Sequence, residues 1–417
     1  MLFFGLLVFL FLIVIRPQDF VGGLEKLPLV SVLMAALIVG YAVSKTPKKF
    51  FRTSADRYTS AFFLFMVVST ISLHWLTYTA SVILDTIKIA IIFYLIVNLV
   101  KNETRIKTMT WTLITFLSIV AGMGILQFYG YDITGVGMLW ASDKNIWQIR
   151  GAGIFDNPND LAYSVVVVVP FALGFIFRSR AITTKLISGV LLFIIAYCIY
   201  LTGSRGGLLC LVLAGLCWLY LWIGNRWLRR LAAIAAVITI VVAIVFVAGG
   251  YRKDQSSMDR IEAWAAGMEM FQSNPLSGVG KGQFGEHHQR DSHSSFIRCA
   301  AELGFPGLYL WLGMIYCSIV SLTRLKRFGA SPQLEPYVTG YTVFIPSYLF
   351  ASIFSSRTYD IIFLVVIAMI SSFERSLPVT IPDKSTVRRK IRLLNKNIAL
   401  LTVAVLIILK LFMLQVW

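Results

Sequence analysis

Residues 255–313 read QSSMDRIEAWAAGMEMFQSNPLSGVGKGQFGEHHQRDSHSSFIRCAAELGFPGLYLWLG. This stretch is polar over most of its length and holds three of the four histidines. It sits between two apolar runs, 228–248 and 298–322, and those flanks decide the fold. Runs of ~20 apolar residues match the thickness of a bilayer's hydrocarbon core when helical. Further runs follow outward at 1–15, 28–44, 58–76, 80–100, 107–127, 159–177, 182–202, 206–223, 337–355, 359–373 and 397–416. The chain is 58% hydrophobic with a mean hydropathy of +0.77, far more apolar surface than a soluble domain of 417 residues can bury. The expected fold is all-α: one polytopic domain over 1–417, a bundle of 12–13 transmembrane helices interrupted by a helical loop at 249–297.

A formal charge of +18 first suggests nucleic acid, but its distribution excludes that. Connections between spans fall into two alternating classes. One holds 24 lysines and arginines and the other 12, with Lys88 and Lys410 inside spans. That bias is the positive-inside signature. It places the N-terminus in the cytoplasm and the loops 128–158 and 249–297 outside. The basic segment 374–396, with Pro378, Pro382 and VRRKIRLLNKN, reads as a cytoplasmic linker on anionic lipid headgroups.

The first run, MLFFGLLVFLFLIVI, lacks a basic flank before it and a small-residue cleavage site after it, and reads as a retained helix. All five cysteines lie in or beside apolar spans without metal-ligand or CxxC spacing, so they read as buried thiols. No metal and no cofactor is expected.

Several polar residues stand out against this background. Arg16 and Asp19 anchor the end of the first span. Asp85 and Lys88 share one helix face and pair with each other or serve a function inside the span. Asn157-Pro158-Asn159-Asp160 is a helix start, with Asn157 as cap and Pro158 at the first position. Arg150 precedes it as an interfacial anchor or an anion contact. In YLTGSRGGLL, Arg205 sits among Gly203, Gly206 and Gly207 at a membrane boundary. A guanidinium held there is suited to a phosphate; the alternative is a snorkelling side chain.

Within the central stretch, residues 258–272 have helical periodicity through Ile261, Trp264, Ala265, Met268 and Phe271. Ser256 or Ser257 is the expected cap, which places Arg260 in the first turn. There it either helps bind an anion at the helix terminus or pairs with Asp259 or Glu262. SNPLSGVGKGQFG departs from the nucleotide-binding loop pattern at Pro275 and Gly282 and reads as a compact turn. His293 lies against the start of the next span. An unperturbed histidine titrates near pH ~6.5 and can take a proton at neutral pH. Asp291 and Glu302 are candidates to orient it. His287 and His288 read as solvated, and Ser292 lacks a nucleophile elbow.

RGAGIFDNPNDLA, LTGSRGGLL, DRIEAWAAGMEMFQSNPLSGVGKGQF and SHSSFIRCAAELGFPGLYLWLG, in that order, resemble the O-antigen ligase and polymerase superfamily over roughly 150–313. The resemblance implies transfer of a glycan from an undecaprenyl-pyrophosphate carrier to an acceptor hydroxyl, without a metal, at the periplasmic face of a bacterial inner membrane. It implies that the functional arginines fall on Arg205 and Arg260 and the functional histidine on His293. Its partners would be the lipid-linked donor, a lipid or glycan acceptor and membrane lipids. A polymerase of the same superfamily, a flippase for lipid-linked glycans and a receptor without catalysis are the competing readings.

Overall fold

The computed structural model describes residues 1–45, 48–71, 76–141, 145–151, 153, 155, 157–250, 255–328, 331–376 and 384–416. The chain is helical nearly throughout. Its helices are α1 (Leu2–Val14), α2 (Leu29–Val43), α3 (Ser54–Ile71), α4 (Leu76–Leu99), α5 (Glu103–Phe128), α6 (Pro158–Val165), α7 (Val168–Arg178), α8 (Ile182–Leu201), α9 (Arg205–Trp222), α10 (Arg226–Gly250), α11 (Gln255–Ser273), α12 (Phe284–His287), α13 (Ser295–Phe328), α14 (Glu335–Phe354), α15 (Ile361–Ser376) and α16 (Lys384–Val416). One antiparallel hairpin, β1 (Leu139–Ala141) and β2 (Ile146–Gln148), interrupts them. Each expected span is helical over most of its described residues. Among the described residues, nine helical segments are long and apolar enough to cross a membrane.

Bare apolar surface supports the same conclusion. Along α10, Leu231, Ile234, Val237, Ile238 and Val241 are exposed, and Leu400, Val403, Ile407, Ile408 and Leu411 are exposed along α16. Contiguous aliphatic surface on this scale is not maintained in water, but it is the natural face of a helix in lipid. The chain is a multi-pass membrane protein.

The chain divides into two compact units. The first comprises residues 1–47, 98–244 and 326–351. Its centre is built on Phe171 and Tyr341, both fully buried, packed edge to face at 4.9 Å. Thr110 Oγ1 and Tyr341 Oη lie 2.7 Å apart, which satisfies the buried phenol. The second unit comprises residues 48–97, 245–325 and 352–417. There Asp56, fully buried on α3, pairs with Arg375 at the end of α15 and accepts a hydrogen bond from Ser371. A buried carboxylate needs such a partner, so Arg375 of the expected basic linker serves the interior.

Connections contact one another by class. At the basic-rich end, Arg178 pairs with Glu335 at 3.1 Å in the first unit, and Arg324 pairs with Glu374 at 2.9 Å in the second. At the basic-poor end, Gln148 Nε2 donates to the Thr202 carbonyl at 2.8 Å in the first unit. In the second, Ser69 donates to the Ser277 carbonyl at 2.6 Å. Alternate crossing of successive spans produces this sorting.

Three expectations are refined. The span expected over 159–177 is one segment, Pro158–Arg178, in which α6 passes into α7 through Val166 and Val167. The segment from Lys384 onward is helix continuous with the last span, because lysine, arginine and leucine favour helix; residues 377–383 lie outside the described residues. The span expected from residue 298 begins at Ser295 and breaks at Gly304, whose φ of 63° and ψ of −164° are non-helical.

The glycine-rich turn explains that break. Residues 274–283 lie against it. The Val279 and Gly280 N–H groups donate to the Ala301 and Glu302 carbonyls at 2.9 Å each, and the Phe305 N–H donates to the Pro275 carbonyl at 2.7 Å. The turn therefore satisfies backbone groups that the interruption frees. Gly278 has φ +65°, and a Cβ there would collide with the Glu302 backbone. Gly278→Ala is expected to lower stability by about 1–3 kcal/mol, read as a fall in thermal midpoint. Gly285→Ala, where a Cβ meets nothing within 4 Å, is the control; equal midpoints would show that the turn does not hold the break.

Candidate active site

In the first unit, Arg205 is the first residue of α9 and its side chain is exposed. Ser204 caps the helix, its Oγ accepting from the Gly207 N–H at 3.1 Å. The same hydroxyl donates to Asn159 Oδ1 at 2.6 Å. Asn159 belongs to α6, which Asn157 caps as the sequence predicts, accepting from the Asn159 N–H at 2.8 Å. Two helix amino ends are thus tied together. Each carries partial positive charge and N–H groups without intrahelical partners, and Arg205 adds a full charge. Anions favour such a corner. Gly206 and Gly207 allow α9 to lie against Tyr163 and Ala162 of α6, the close approach that their small size predicts.

Arg150 is half-buried and held through its backbone. Gln127, buried in the last turn of α5, accepts from the Arg150 N–H at 3.0 Å and donates through Nε2 to the Gly137 carbonyl at 3.1 Å. Gln127 also donates to Asp132 at 3.3 Å. Burial raises the Asp132 carboxyl pKa, but hydrogen bonds from Thr134, Gly137 and Gln127 outweigh it and hold the group below the usual carboxylate range. The loop carrying Arg150 is therefore an organised structure pinned to the end of α5.

In the second unit, His293 occupies the turn before α13 with φ +46°. The left-handed region is uncommon for residues other than glycine, and the surroundings impose it. Ser292 is fully buried; its Oγ donates to the Ser294 carbonyl and lies against Ser356 Oγ, both at 3.0 Å. Trp264 Nε1 of α11 donates to the Ser292 carbonyl at 2.7 Å. On the other side, Ser295 Oγ donates to the Ser355 carbonyl at 2.8 Å and accepts from the Arg357 N–H at 2.7 Å. Thr358 Oγ1 donates to the Ser295 carbonyl at 3.0 Å. Residues 292–295 are thus clamped by the strap 355–358 that joins α14 to α15. Ser292 is structural.

The two carboxylates expected to orient His293 are both tied to Arg298. Glu302 is fully buried. It accepts from Arg298 Nε at 3.1 Å, the Phe284 N–H at 3.4 Å and Tyr359 Oη at 2.7 Å. Asp291 accepts from the Ser292 N–H at 2.8 Å and pairs with Arg298 at 3.4 Å. Arg298, which the sequence left without a role, joins these two carboxylates. Burial, then Glu302 and Cys299, pushes the Tyr359 phenol well above its usual range, so it remains a donor. His287 is exposed, while His288 is half-buried and its Nδ1 lies 3.0 Å from the Arg290 carbonyl.

Arg260 departs from its expected position. Helix α11 already includes Gln255, so Ser256 and Ser257 lie within it and Arg260 falls in the second turn. The field of a helix terminus fades beyond its first turn, so Arg260 lies behind the helix end rather than in it. Asp259 pairs with Arg290, so that carboxylate is engaged. The helix rests on the protein: Ile261, Trp264 and Met268 are buried as the periodicity predicts, joined by Ala263 and Met270. Trp264 meets Phe412 of α16 at 5.6 Å.

Two cations were missed by sequence reasoning. Arg357 is 7% exposed, pairs with Asp360, and belongs to the strap beside His293. Its signal was present: an arginine between a serine and a threonine in a short connection, SSRTYD, like Arg205 in its own. Lys281 is 9% exposed with Nζ 5.6 Å from the Tyr359 ring centroid. Burial, reinforced by Arg298 and Lys88 and opposed by Asp85 and Glu302, lowers its ammonium below the usual lysine range. Asp85 and Lys88 pair at 3.2 Å, both exposed, as their spacing predicts.

Arg150 and Arg205 lie in the first unit, and Arg260 and His293 in the second. No curated protein matches the chain. The model of the O-antigen ligase family matches residues 190–312, which include Arg205, Arg260 and His293 but neither Arg150 nor the strap. The chain is a multi-pass membrane protein that carries an O-antigen ligase domain over residues 190–312.

Proposed function

We propose that the protein transfers a glycan from undecaprenyl pyrophosphate to an acceptor hydroxyl at the periplasmic face of the bacterial inner membrane. The observation that carries this reading is the clamped turn at His293, which holds a histidine's backbone at the amino end of a span. A carrier lipid keeps its pyrophosphate at that depth. Pyrophosphate is a good leaving group, so charge neutralisation and removal of the acceptor's proton are the two remaining tasks. Arg205, at the capped amino end of α9, neutralises charge developing on the leaving pyrophosphate, which stabilises the transition state electrostatically. Arg260 and Arg150 contribute further contacts to the donor's phosphates. His293 accepts the hydroxyl proton as the acceptor oxygen bonds to the anomeric carbon. The bond from that carbon to the pyrophosphate oxygen breaks, with inversion.

Purified protein in liposomes with a lipid-linked glycan and an acceptor tests the reading. A new glycosidic bond supports it, whereas movement of unchanged donor across the bilayer would establish a flippase instead. The topology has its own check. Gln289, exposed beyond α12, should be labelled as Gln289→Cys by an impermeant thiol reagent from the periplasm. Labelling only after the inner membrane is permeabilised would reverse the topology and the active-site assignment together.

A further inference from the structure

The hairpin of β1 and β2 is docked through one face, on which Leu139 and Ile146 remain 44% and 40% exposed, and carries its two tryptophans on the other. Opposite residues on paired strands share a face. Leu139 pairs with Gln148 and Ala141 with Ile146, while Trp140 pairs with Trp147 between them. Gln148 donates to the Thr202 carbonyl. A Cβ at Gly203 would lie 2.8 Å from both Gln148 and Ile146. This face therefore sits on the turn between α8 and α9. The alternate face carries Trp140 and Trp147, 44% and 53% exposed, with ring centroids 5.0 Å apart. Cross-strand indole packing stabilises the hairpin, yet it leaves much of both rings uncovered.

The hairpin stands on a helix that is itself bare, with Leu186, Val190 and Phe193 exposed along α8. Helix α8 is the support of the hairpin, and only 22% of its apolar window is buried inside the protein. Near the same end of α8, Tyr197 meets Tyr129 at 2.6 Å between phenol oxygens, and Tyr129 is itself exposed. Tryptophan and tyrosine concentrate where bilayer meets water, with the ring among acyl chains and the polar edge among headgroups. The hairpin is fixed to Thr202 and Gly203, level with the ends of two spans, which is that depth.

We infer that the face bearing Trp140 and Trp147 is seated in the headgroup–acyl boundary of the bilayer, and that its partner is membrane lipid. Docked rigidly on the turn before Arg205, the hairpin then sets the height of that arginine relative to the phosphate plane. The lipid contact stands without the proposed transfer reaction; only its consequence for Arg205 rests on it.

The test uses full-length protein in liposomes and compares tryptophan emission of the parent with that of Trp140→Phe/Trp147→Phe. The difference isolates the two indoles. Phosphatidylcholine brominated near the headgroup is expected to quench it by at least half and to quench more strongly than lipid brominated near the chain end. Soluble iodide should quench it weakly. Strong quenching by iodide with none by brominated lipid would overturn the inference and leave the pair facing water, as a platform for sugars would. If the double variant fails to insert, a nitroxide on Trp147→Cys reads the same surface, with the labelled parent as background. Collision with oxygen should exceed collision with a water-soluble nickel chelate; the reverse ratio overturns the inference. Either readout is independent of glycan transfer.

Discussion

His293→Gly is expected to reduce glycan transfer by about 10²–10⁴-fold, the usual worth of a general base, while the thermal midpoint stays level or rises. The two halves of this result separate chemistry from folding. His293 adopts φ +46°, a conformation that costs a residue with a Cβ roughly 1–2 kcal/mol. Glycine relieves that cost, and asparagine tolerates the region better than most residues. Gly and Asn variants should therefore be well folded and inactive. His293→Ala and His293→Gln keep the backbone cost and should be inactive without any gain in stability. Donor binding should survive in all four. His287→Ala should behave like the parent. Near-parent turnover in His293→Gln or His293→Asn, at equal protein level in the membrane, would remove the base role and leave His293 as a turn residue.

Arg205→Ala should weaken donor binding by about 10–100-fold, the range for losing a hydrogen bond to a charged group. Arg205→Lys should remain impaired, because an ammonium restores the charge but not the planar fork that matches phosphate. The helix start should persist in both, since the cap belongs to Ser204. Binding of a lipid-linked donor in detergent, measured beside the corresponding Arg260 variants, distinguishes the contributions. Arg260 lies in the second turn of its helix, where the terminal field has faded, so its effect should be the smaller. Unchanged affinity and turnover in both Arg205→Ala and Arg260→Ala would remove pyrophosphate recognition from these residues.

The spans were legible because each is a long uncharged run, and a bilayer requires little more information than that. Local signals also carried through: Asn157 and Pro158 start α6, and Asp85 and Lys88 pair at their three-residue spacing. The failures share one physical cause. Gly304 reads as an ordinary residue in a span until residues 274–283 are laid against it, and that contact spans some twenty-five positions. Arg298 has no visible role until its pairs with Asp291 and Glu302 are in place, and Tyr359, 57 positions beyond Glu302, completes that cluster. Arg357 was visible as a cation, but its place beside His293 depends on a strap sixty residues away. Helix α11 takes in both serines that suited a cap, since a cap preference by itself fixes a helix boundary only to within a residue or two.

The strap also bears on the order of events during biosynthesis. Ser295 precedes Arg357, the partner whose amide it receives, by 62 positions. The turn at His293 therefore reaches the membrane before its clamp has been made. At ~5–20 residues per second, the ribosome needs about 3–12 s to supply the missing piece, and α14 must insert meanwhile. The turns that close the break at Gly304 use earlier chain and need no such wait. A nascent protein stalled before residue 355 would thus have nearly all of its ligase-like sequence and an unfinished site, so competence for chemistry would come late in translation.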